Sequence, residues 1–100
     1  MTEIPVTIDF SGGSEFLVKS KEQKVKIPAE STLLQVLKFV KDNLVVDFDR
    51  INMLFNDDVT EVAHGVIILI NDTDFALLSE YDTIIEAGDR ITFVSTLHGG

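Results

Sequence analysis

The first strand of the chain is predicted by apolar residues at every second position. These residues are Ile4, Val6, Ile8 and Phe10. A period of two is typical of a strand with one buried face. The adjacent glycines Gly12 and Gly13 follow, and they readily supply the positive φ angles of a tight hairpin turn. Residues 16–18 predict a return strand that the charged stretch 19–24 interrupts before residues 25–28, so we expect a hairpin with an irregular or broken second arm.

Residues 32–44 have the pattern of an amphipathic helix. Thr32 and Gln35 have the spacing of a capping box, in which each side chain satisfies a free backbone N–H at the helix start. The apolar positions recur at helical spacing and share one face: Leu33, Val36, Leu37, Val40 and Leu44. The charged positions fall on the opposite face: Lys38, Lys41 and Asp42. Phe39 lies off the apolar stripe, and we expect a neighbouring loop to cover it, with contact to a partner as the alternative.

The apolar residues between 45 and 65 obey no single period, and only a short strand near residues 51–55 is predicted there. Residues 66–70 are apolar without interruption, which predicts a strand that is buried on both faces. The polar residues 71–74 form a turn signal that ends this strand.

Residues 75–78 predict a short helical turn or a minor strand, and a turn at 87–89 precedes the last strand. In that strand Ile91, Phe93 and Ser95 alternate with the intervening positions. The predicted order is thus β-β-α-β-(short element)-β. We expect a single α+β domain over residues 1–96, with its helix packed on one face of a mixed sheet, followed by a tail at 97–100.

The composition suits one domain that folds without a metal or a disulfide. The chain has 100 residues, of which 45% are hydrophobic, and no cysteine. Its longest unbroken apolar stretch, residues 66–70, is far too short for a membrane span, and residues 1–5 show no secretory signal. We therefore expect a cytoplasmic protein, with the nucleus as an alternative location.

The net charge of −9 argues against direct binding to nucleic acid, which requires Lys and Arg to neutralise phosphates. The charge is also unevenly distributed along the chain. All lysines lie in the first 41 residues: Lys19, Lys21, Lys24, Lys26, Lys38 and Lys41. From Asp42 onward the only basic residues are Arg50 and Arg90. The acidic second half has two interpretations, solubility and steering toward a basic partner.

Residues that could carry chemistry within the chain are sparse. His64 and His98 are far apart in sequence and no cysteine accompanies them, so no metal site is predicted. A convincing Ser/His/acid arrangement is missing, and Gly12-Gly13 lacks the spacing of a phosphate-binding loop. We expect a protein that is not an enzyme and that binds no cofactor.

The end of the chain, Leu97-His98-Gly99-Gly100, suits insertion into the active site of another protein. Two glycines make a narrow segment that a protein backbone can approach closely. A free carboxylate is a poor electrophile, so the partner would have to activate it, most simply by adenylation with ATP. Because the chain has no thiol, any sulfur that it carried would have to be held on Gly100 as a thiocarboxylate.

Several segments of the chain carry a family resemblance: Leu69-Ile70-Asn71-Asp72-Thr73-Asp74-Phe75, Gly88-Asp89, the hairpin Phe10-Ser11-Gly12-Gly13, the helix residues 37–44 and the ending Phe93-Val94-Ser95-Thr96-Leu97-His98-Gly99-Gly100. Together they resemble the ubiquitin-related modifier family. The resemblance extends from about residue 4 to the end and is weakest over 45–62. It implies a β-grasp, ubiquitin-like fold and the role of a sulfur carrier.

In that family an activating enzyme adenylates the C-terminal glycine, and a persulfide on its rhodanese-like domain converts the glycine to a thiocarboxylate. The resemblance implies that Gly100 is the modified residue and that Leu97, His98 and Gly99 enter the activating enzyme. The sulfur would serve tRNA thiolation enzymes in 2-thiolation of the wobble uridine of cytosolic tRNA. The activated protein, expected to be a monomer, could also be joined to lysines of target proteins.

The chain departs from the family pattern at two places. Ala63-His64-Gly65 stands where the family usually has Arg-Pro-Gly, and Phe75 stands where it usually has Trp. Two alternatives to the implied function are a ubiquitin-like interaction module that is never activated and a sulfur carrier for molybdopterin or thiamin synthesis. If the acidic half docks on the activating enzyme, Asp72, Asp74 and Asp89 are the residues expected to meet its basic surface, beside an apolar contact from the sheet.

Overall fold

Five strands and one α-helix make up the fold in the computed structural model, which describes residues 2–95. The elements are β1 (Glu3–Ser11), β2 (Glu22–Pro28), α1 (Leu33–Asn43), β3 (Val66–Ile70), β4 (Thr73–Asp74) and β5 (Arg90–Ser95). Short 3-10 helices lie at Ser14–Leu17, Phe48–Met53, Phe75–Leu77 and Glu80–Asp82. The predicted domain boundary between residues 96 and 97 lies outside the described residues.

The strands form one mixed sheet in the order β2-β1-β5-β3-β4. The first and last strands, β1 and β5, are parallel neighbours at its centre, and Ile8 pairs with Ile91. The other pairings are antiparallel. A mixed sheet that holds one helix against one face is a β-grasp, so the predicted α+β fold is confirmed.

The alternation predicted for β1 is confirmed. Val6, Ile8 and Phe10 are buried, and the residues between them are exposed or half-buried. These side chains point toward α1 and join the inward residues of β5, Ile91 and Phe93, in one core. The two central strands, β1 and β5, therefore bury their apolar side chains on the face that α1 covers.

The predicted helix and its capping box are also confirmed. The Thr32 hydroxyl accepts a hydrogen bond from the N–H of Gln35 at 3.3 Å, and the Gln35 Oε1 accepts one from the N–H of Thr32 at 2.8 Å. The predicted apolar face is buried: Leu33, Val36, Leu37, Val40 and Leu44. Phe39 is half-buried and packs against the core, and it lines a cleft together with Ile27 and Pro28 of β2 and Ser31 of the loop between β2 and α1.

Replacing Leu37 or Val40 by alanine should lower the free energy of unfolding by about 1–4 kcal/mol, because each change opens a cavity beneath α1. Both side chains are fully buried. The exposed Lys38 serves as the control, and its replacement by alanine should change stability by no more than about 0.5 kcal/mol. Urea denaturation measures all three. Equally small effects would contradict the assigned helix face.

Two strands predicted from apolar runs are not formed. Residues 16–18 do not begin the return strand, because Ser14–Leu17 is a 3-10 helix and β2 starts only at Glu22. Residues 51–55 likewise do not form a strand, since Phe48–Met53 is a 3-10 helix, although Phe55 forms a single bridge to Val62. Each run still buries apolar residues, and these close the end of the core: Leu17, Val18, Leu54 and Phe55.

The prediction that β3 is buried on both faces is wrong. Val66, Ile68 and Ile70 are buried, but Ile67 is 37% exposed and Leu69 is half-buried. The reason is that α1 covers one face of the sheet, and within residues 2–95 no helix covers the other. An uninterrupted apolar run thus places apolar side chains on the open face.

The turn predicted at 71–74 is a two-residue hairpin loop. Ile70 pairs with Thr73, and Asn71 and Asp72 between them have φ angles of 51° and 69°. Two positive φ angles match the right-handed twist of a hairpin, and Asn and Asp tolerate this region better than other non-glycine residues. The short helical turn predicted at 75–78 is confirmed as Phe75–Leu77, and the ring of Phe75 packs edge-on against Tyr81 at 5.1 Å.

No helix within residues 2–95 is both long enough and apolar enough to cross a membrane.

Candidate functional site: the end of the central strand

Strand β5 carries the chain toward its C-terminal residues from the centre of the sheet. It pairs with β1 on one side and with β3 on the other, and Ser95 is its last residue. The residues predicted to be modified or threaded, Leu97, His98, Gly99 and Gly100, lie outside the described residues. Ser95 is therefore the point of the sheet from which the chain continues toward these residues.

The turn after β1 lies directly against the end of β5. Gly12 has a φ of 70°, and a Cβ atom placed on it would lie 2.1 Å from the carbonyl oxygen of Ser95. Real Cβ atoms do not approach an oxygen so closely, so this position requires glycine for space as well as for conformation. The buried hydroxyl of Ser14 lies 2.9 Å from the carbonyl oxygen of Phe93, to which it donates, and 2.9 Å from that of Ser11.

Aromatic packing holds the same strand from inside the core. The ring of Phe93 stacks on Phe10 at 5.4 Å between centroids, and Phe55 meets it edge-on at 6.3 Å. All three rings are almost fully buried. Together with the Gly12–Ser14 turn, they fix the direction in which β5 ends.

An apolar patch lies on the open face of the sheet beside this strand end. Ile67 pairs with Val94, and Leu69 pairs with Thr92, so these side chains occupy adjacent positions of one face. Ile67 is exposed, whereas Leu69 and Val94 are half-buried. The structure thus provides a surface where the predicted apolar contact from the sheet could be made.

The three aspartates of the predicted acidic docking surface differ in their surroundings. Asp89 accepts hydrogen bonds from Asn71 Nδ2 at 2.9 Å and from the N–H of Glu86 at 2.8 Å. Asp74 caps the next helical turn by accepting from the N–H of Ala76 at 2.9 Å. Asp72 is exposed in its loop, where no side-chain bond to another described residue is seen.

Two of the three aspartates therefore stabilise local turns, and of the three only Asp72 is exposed. Asn71 joins the two turns, because its Oδ1 accepts from the N–H of Arg90 at 2.9 Å. This brings Asp72 and Asp89 to one end of the sheet. That end is opposite the one at which β5 finishes, since Arg90 begins the strand.

Arg90 lies on the open face among acidic partners. Its guanidinium donates to Glu22 Oε1 at 3.2 Å and also to Asp9 Oδ2. The hydrogen bonds to Glu22 and Asp9 raise the pKa of Arg90. Among the residues that the structure describes, Arg90 is therefore a neutralised cation rather than a site for a ligand.

Among residues 2–95 no group of three or more His, Cys, Asp or Glu side chains is placed to hold a metal ion. His64 is exposed in the loop before β3, in the segment where the chain departs from the family pattern. The phenol of Tyr81 anchors this loop by accepting from the N–H of Val62 at 2.9 Å, and its burial raises the pKa of the phenol.

The sequence interpretation missed the contact between the Gly12–Ser14 turn and the end of β5. Its visible signal was the Gly12-Gly13 pair, which was assigned only to a hairpin turn. The reason for glycine at position 12 is the carbonyl of Ser95, a residue from the other end of the described chain. That proximity follows from the parallel pairing of β1 with β5.

Comparison with known proteins agrees with this geometry. The sequence profile of Urm1 (Ubiquitin related modifier) matches residues 5–100. The chain is 78% identical over 100 residues to a Ubiquitin-related modifier 1 homolog of Caenorhabditis elegans, with all of both chains covered. It is 37% identical over 99 residues to a homolog of that name from Culex quinquefasciatus, covering 95% of this chain and 86% of the relative.

A solved relative confirms the fold. The solution structure of Urm1 from Trypanosoma brucei superposes with a TM-score of 0.79 at 26% identity, covering 100% of this chain and 99% of that one. The profile match includes the Gly-Gly ending as well as the β-grasp domain. The chain therefore belongs to the ubiquitin-related modifier family and is a ubiquitin-like modifier rather than a catalytic enzyme.

Proposed function

We propose that the protein is a sulfur carrier whose Gly100 is activated and converted to a thiocarboxylate by a partner enzyme. The observation that carries this proposal is the family match through residue 100, which includes Leu97-His98-Gly99-Gly100. The rigid end of β5 supports it, because a fixed strand end allows a partner to receive the following residues from a defined direction.

The chemistry follows from the terminal carboxylate. Its oxygen attacks the α-phosphorus of ATP in the activating enzyme, pyrophosphate leaves, and an acyl-adenylate forms. A persulfide sulfur then displaces AMP, and reduction of the resulting acyl disulfide by a thiol of the enzyme leaves the thiocarboxylate on Gly100. This chain contains no cysteine, so the partner enzyme supplies every thiol that takes part in these reaction steps.

The thiocarboxylate would supply sulfur for 2-thiolation of the wobble uridine in cytosolic tRNA. In the same activated form the protein would be joined to lysines of target proteins. Its partners are then an activating enzyme with adenylation and rhodanese-like domains, tRNA thiolation enzymes and the lysine-bearing targets, and its location is the cytoplasm. The net charge of −9 supports delivery of sulfur through protein partners rather than direct binding to tRNA.

The intact mass of the protein recovered from its own cells tests the carrier role. A fraction of molecules should be heavier by the exchange of one oxygen for one sulfur, located at Gly100 by fragmentation. A variant lacking Gly100 should show no such species. Recovery of only the carboxylate form, also from cells with blocked tRNA thiolation, would favour an interaction module that is never activated.

The exposed Asp72 gives the sharper test of acidic docking. Changing Asp72 to lysine should slow association with the activating enzyme at low salt and reduce the salt dependence of its rate, because steering acts on association and is screened by ions. The chemical step after binding should change little. Stopped-flow fluorescence measures the rate, and Asp57→Lys, in an exposed turn outside the predicted docking surface, is the matched control. Equal rates for both variants would leave Asp72 without a docking role.

A further inference from the structure

Strand β2 is an edge strand of the sheet, and within residues 2–95 no other strand pairs with its outer side. Its neighbour β1 pairs Thr7 with Lys24 and Pro5 with Lys26. The N–H of Thr7 donates to the backbone carbonyl of Asp89 at 3.0 Å, and the carbonyl of Pro5 accepts from the N–H of Gly88 at 2.8 Å. The backbone polar groups of Thr7 and Pro5 therefore face away from β2. Directly opposed residues of an antiparallel pair alternate in this way. The backbone groups of Lys24 and Lys26 therefore point outward, where another strand could bind.

A cleft with an apolar floor runs between this edge and α1. It has a volume of about 250 Å³, and its lining includes Ile27, Pro28, Val36 and Phe39, with Gln35 and Lys38 at its rim. Phe39 is the residue that lies off the apolar stripe of the helix, and it remains half-buried. A side chain inserted from an added strand would cover it.

The charge of this region is opposite to that of the whole protein. Lys24 and Lys26 are exposed on the open face of the sheet, and Lys38 is exposed on the helix side of the cleft. Among the nearby carboxylates, Glu22 contacts Arg90 at 3.2 Å, and Asp42, which also lines the cleft, lies 3.9 Å from Lys41. The exposed Glu3 at the start of β1 is a further acidic side chain beside this edge. In a chain of net charge −9 this edge is a local basic surface.

We propose that the β2 edge and its cleft bind an extended segment of a partner protein in which apolar and acidic residues alternate. The segment adds a strand by hydrogen bonding to the outward backbone groups of Lys24 and Lys26. Its apolar side chains enter the cleft against Phe39, and its acidic side chains face the two lysines. Because β1 separates β2 from β5, a partner held here leaves the end of β5 accessible.

The probe for this site is the peptide acetyl-Asp-Val-Asp-Val-Asp-Val-Asp-amide. Titration of the ¹⁵N-labelled protein should shift the amide resonances of Lys24, Lys26 and Phe39 by NMR. A peptide with the same residues in blocks, valines before aspartates, should bind about tenfold more weakly, since it cannot place both residue types on their own faces. Shifts centred on Ile67 and Leu69, or equal affinity for both peptides, would overturn the proposal.

Two variants separate the contributions of charge and cleft. The double charge reversal K24E/K26E should weaken binding about fivefold and remove most of its salt dependence. F39A should weaken binding about tenfold. Leu77→Ala, at a residue 79% exposed beyond β4, is the control that should bind like the wild type. Since Lys24 and Lys26 are exposed, their reversal leaves the fold intact, and unchanged binding by K24E/K26E would overturn the proposal even if F39A proved unstable.

Discussion

Replacing Gly12 by alanine is expected to lower the free energy of unfolding by about 2–5 kcal/mol, since it combines two costs. A Cβ atom at a φ of 70° is strained, and here it would overlap the Ser95 carbonyl at 2.1 Å. The backbone of residue 12 fixes the position of the Cβ atom, and the atom that it would overlap is a backbone oxygen, so rotation of a side chain cannot relieve the overlap. Urea denaturation measures the loss of stability, and the rate of adenylation by the activating enzyme reports on the displaced end of β5.

Gly88→Ala is the matched control for this substitution. Gly88 has a φ of 88°, but a Cβ there would meet nothing within 4 Å. It should therefore carry only the conformational cost, about 1–2 kcal/mol. Equal stabilities of the two variants would show that the contact with Ser95 contributes nothing.

Deleting Gly100, or adding one residue after it, should abolish adenylation while leaving the free energy of unfolding unchanged. The change lies beyond Ser95, the last residue of β5, so all strand pairings of the described residues are retained. The reacting carboxylate, however, is moved out of reach of the nucleotide. ATP–pyrophosphate exchange with the activating enzyme measures the first effect, and thermal unfolding measures the second.

A substitution in an exposed turn, Asp57→Ala, should retain full exchange activity and so serves as the control for handling and folding. Full adenylation of the extended protein would contradict the proposed role of Gly100. It would not affect the assignment of the fold, which rests on the sheet and on the family match.

Sequence reasoning succeeded where a local rule determines structure. The capping box of Thr32 and Gln35 fixed the start of α1, and the alternation of Val6, Ile8 and Phe10 identified the buried face of β1. Both signals lie within one turn or one strand. They do not depend on what packs against the element.

Prediction from the sequence failed where the burial of a residue depends on an element that is distant in the chain. The apolar run at β3 carries no information on whether a second layer covers Ile67, and in the described chain none does. The residues between α1 and β3 follow no period because they close the core through a 3-10 helix and single bridges, such as that between Phe55 and Val62.

The candidate site shows the same division. The chemistry proposed for the C-terminal carboxylate rests on Gly99-Gly100 and on the absence of cysteine, and it stays a prediction because these glycines lie outside the described residues. The hydrogen bond from the N–H of Ala76 to Asp74 is a local one, of the kind for which turns favour aspartate. The bond from Asn71 to Asp89 could not be predicted, because it joins two turns that lie 18 residues apart in the sequence. A carboxylate in an acidic sequence is thus not by itself a surface for a partner.

The central position of β5 also has a consequence for synthesis on the ribosome. Until β5 emerges, the nascent chain contains the β1–β2 hairpin and the short β3–β4 hairpin, with no strand to join them. The pairing of β1 with β5 is the most non-local contact in the sheet, and such contacts form late because of their entropic cost. The fold is therefore completed only after translation has nearly reached the terminal glycines. A nascent chain that stops before β5 cannot fold, so it does not compete with the complete protein for the activating enzyme.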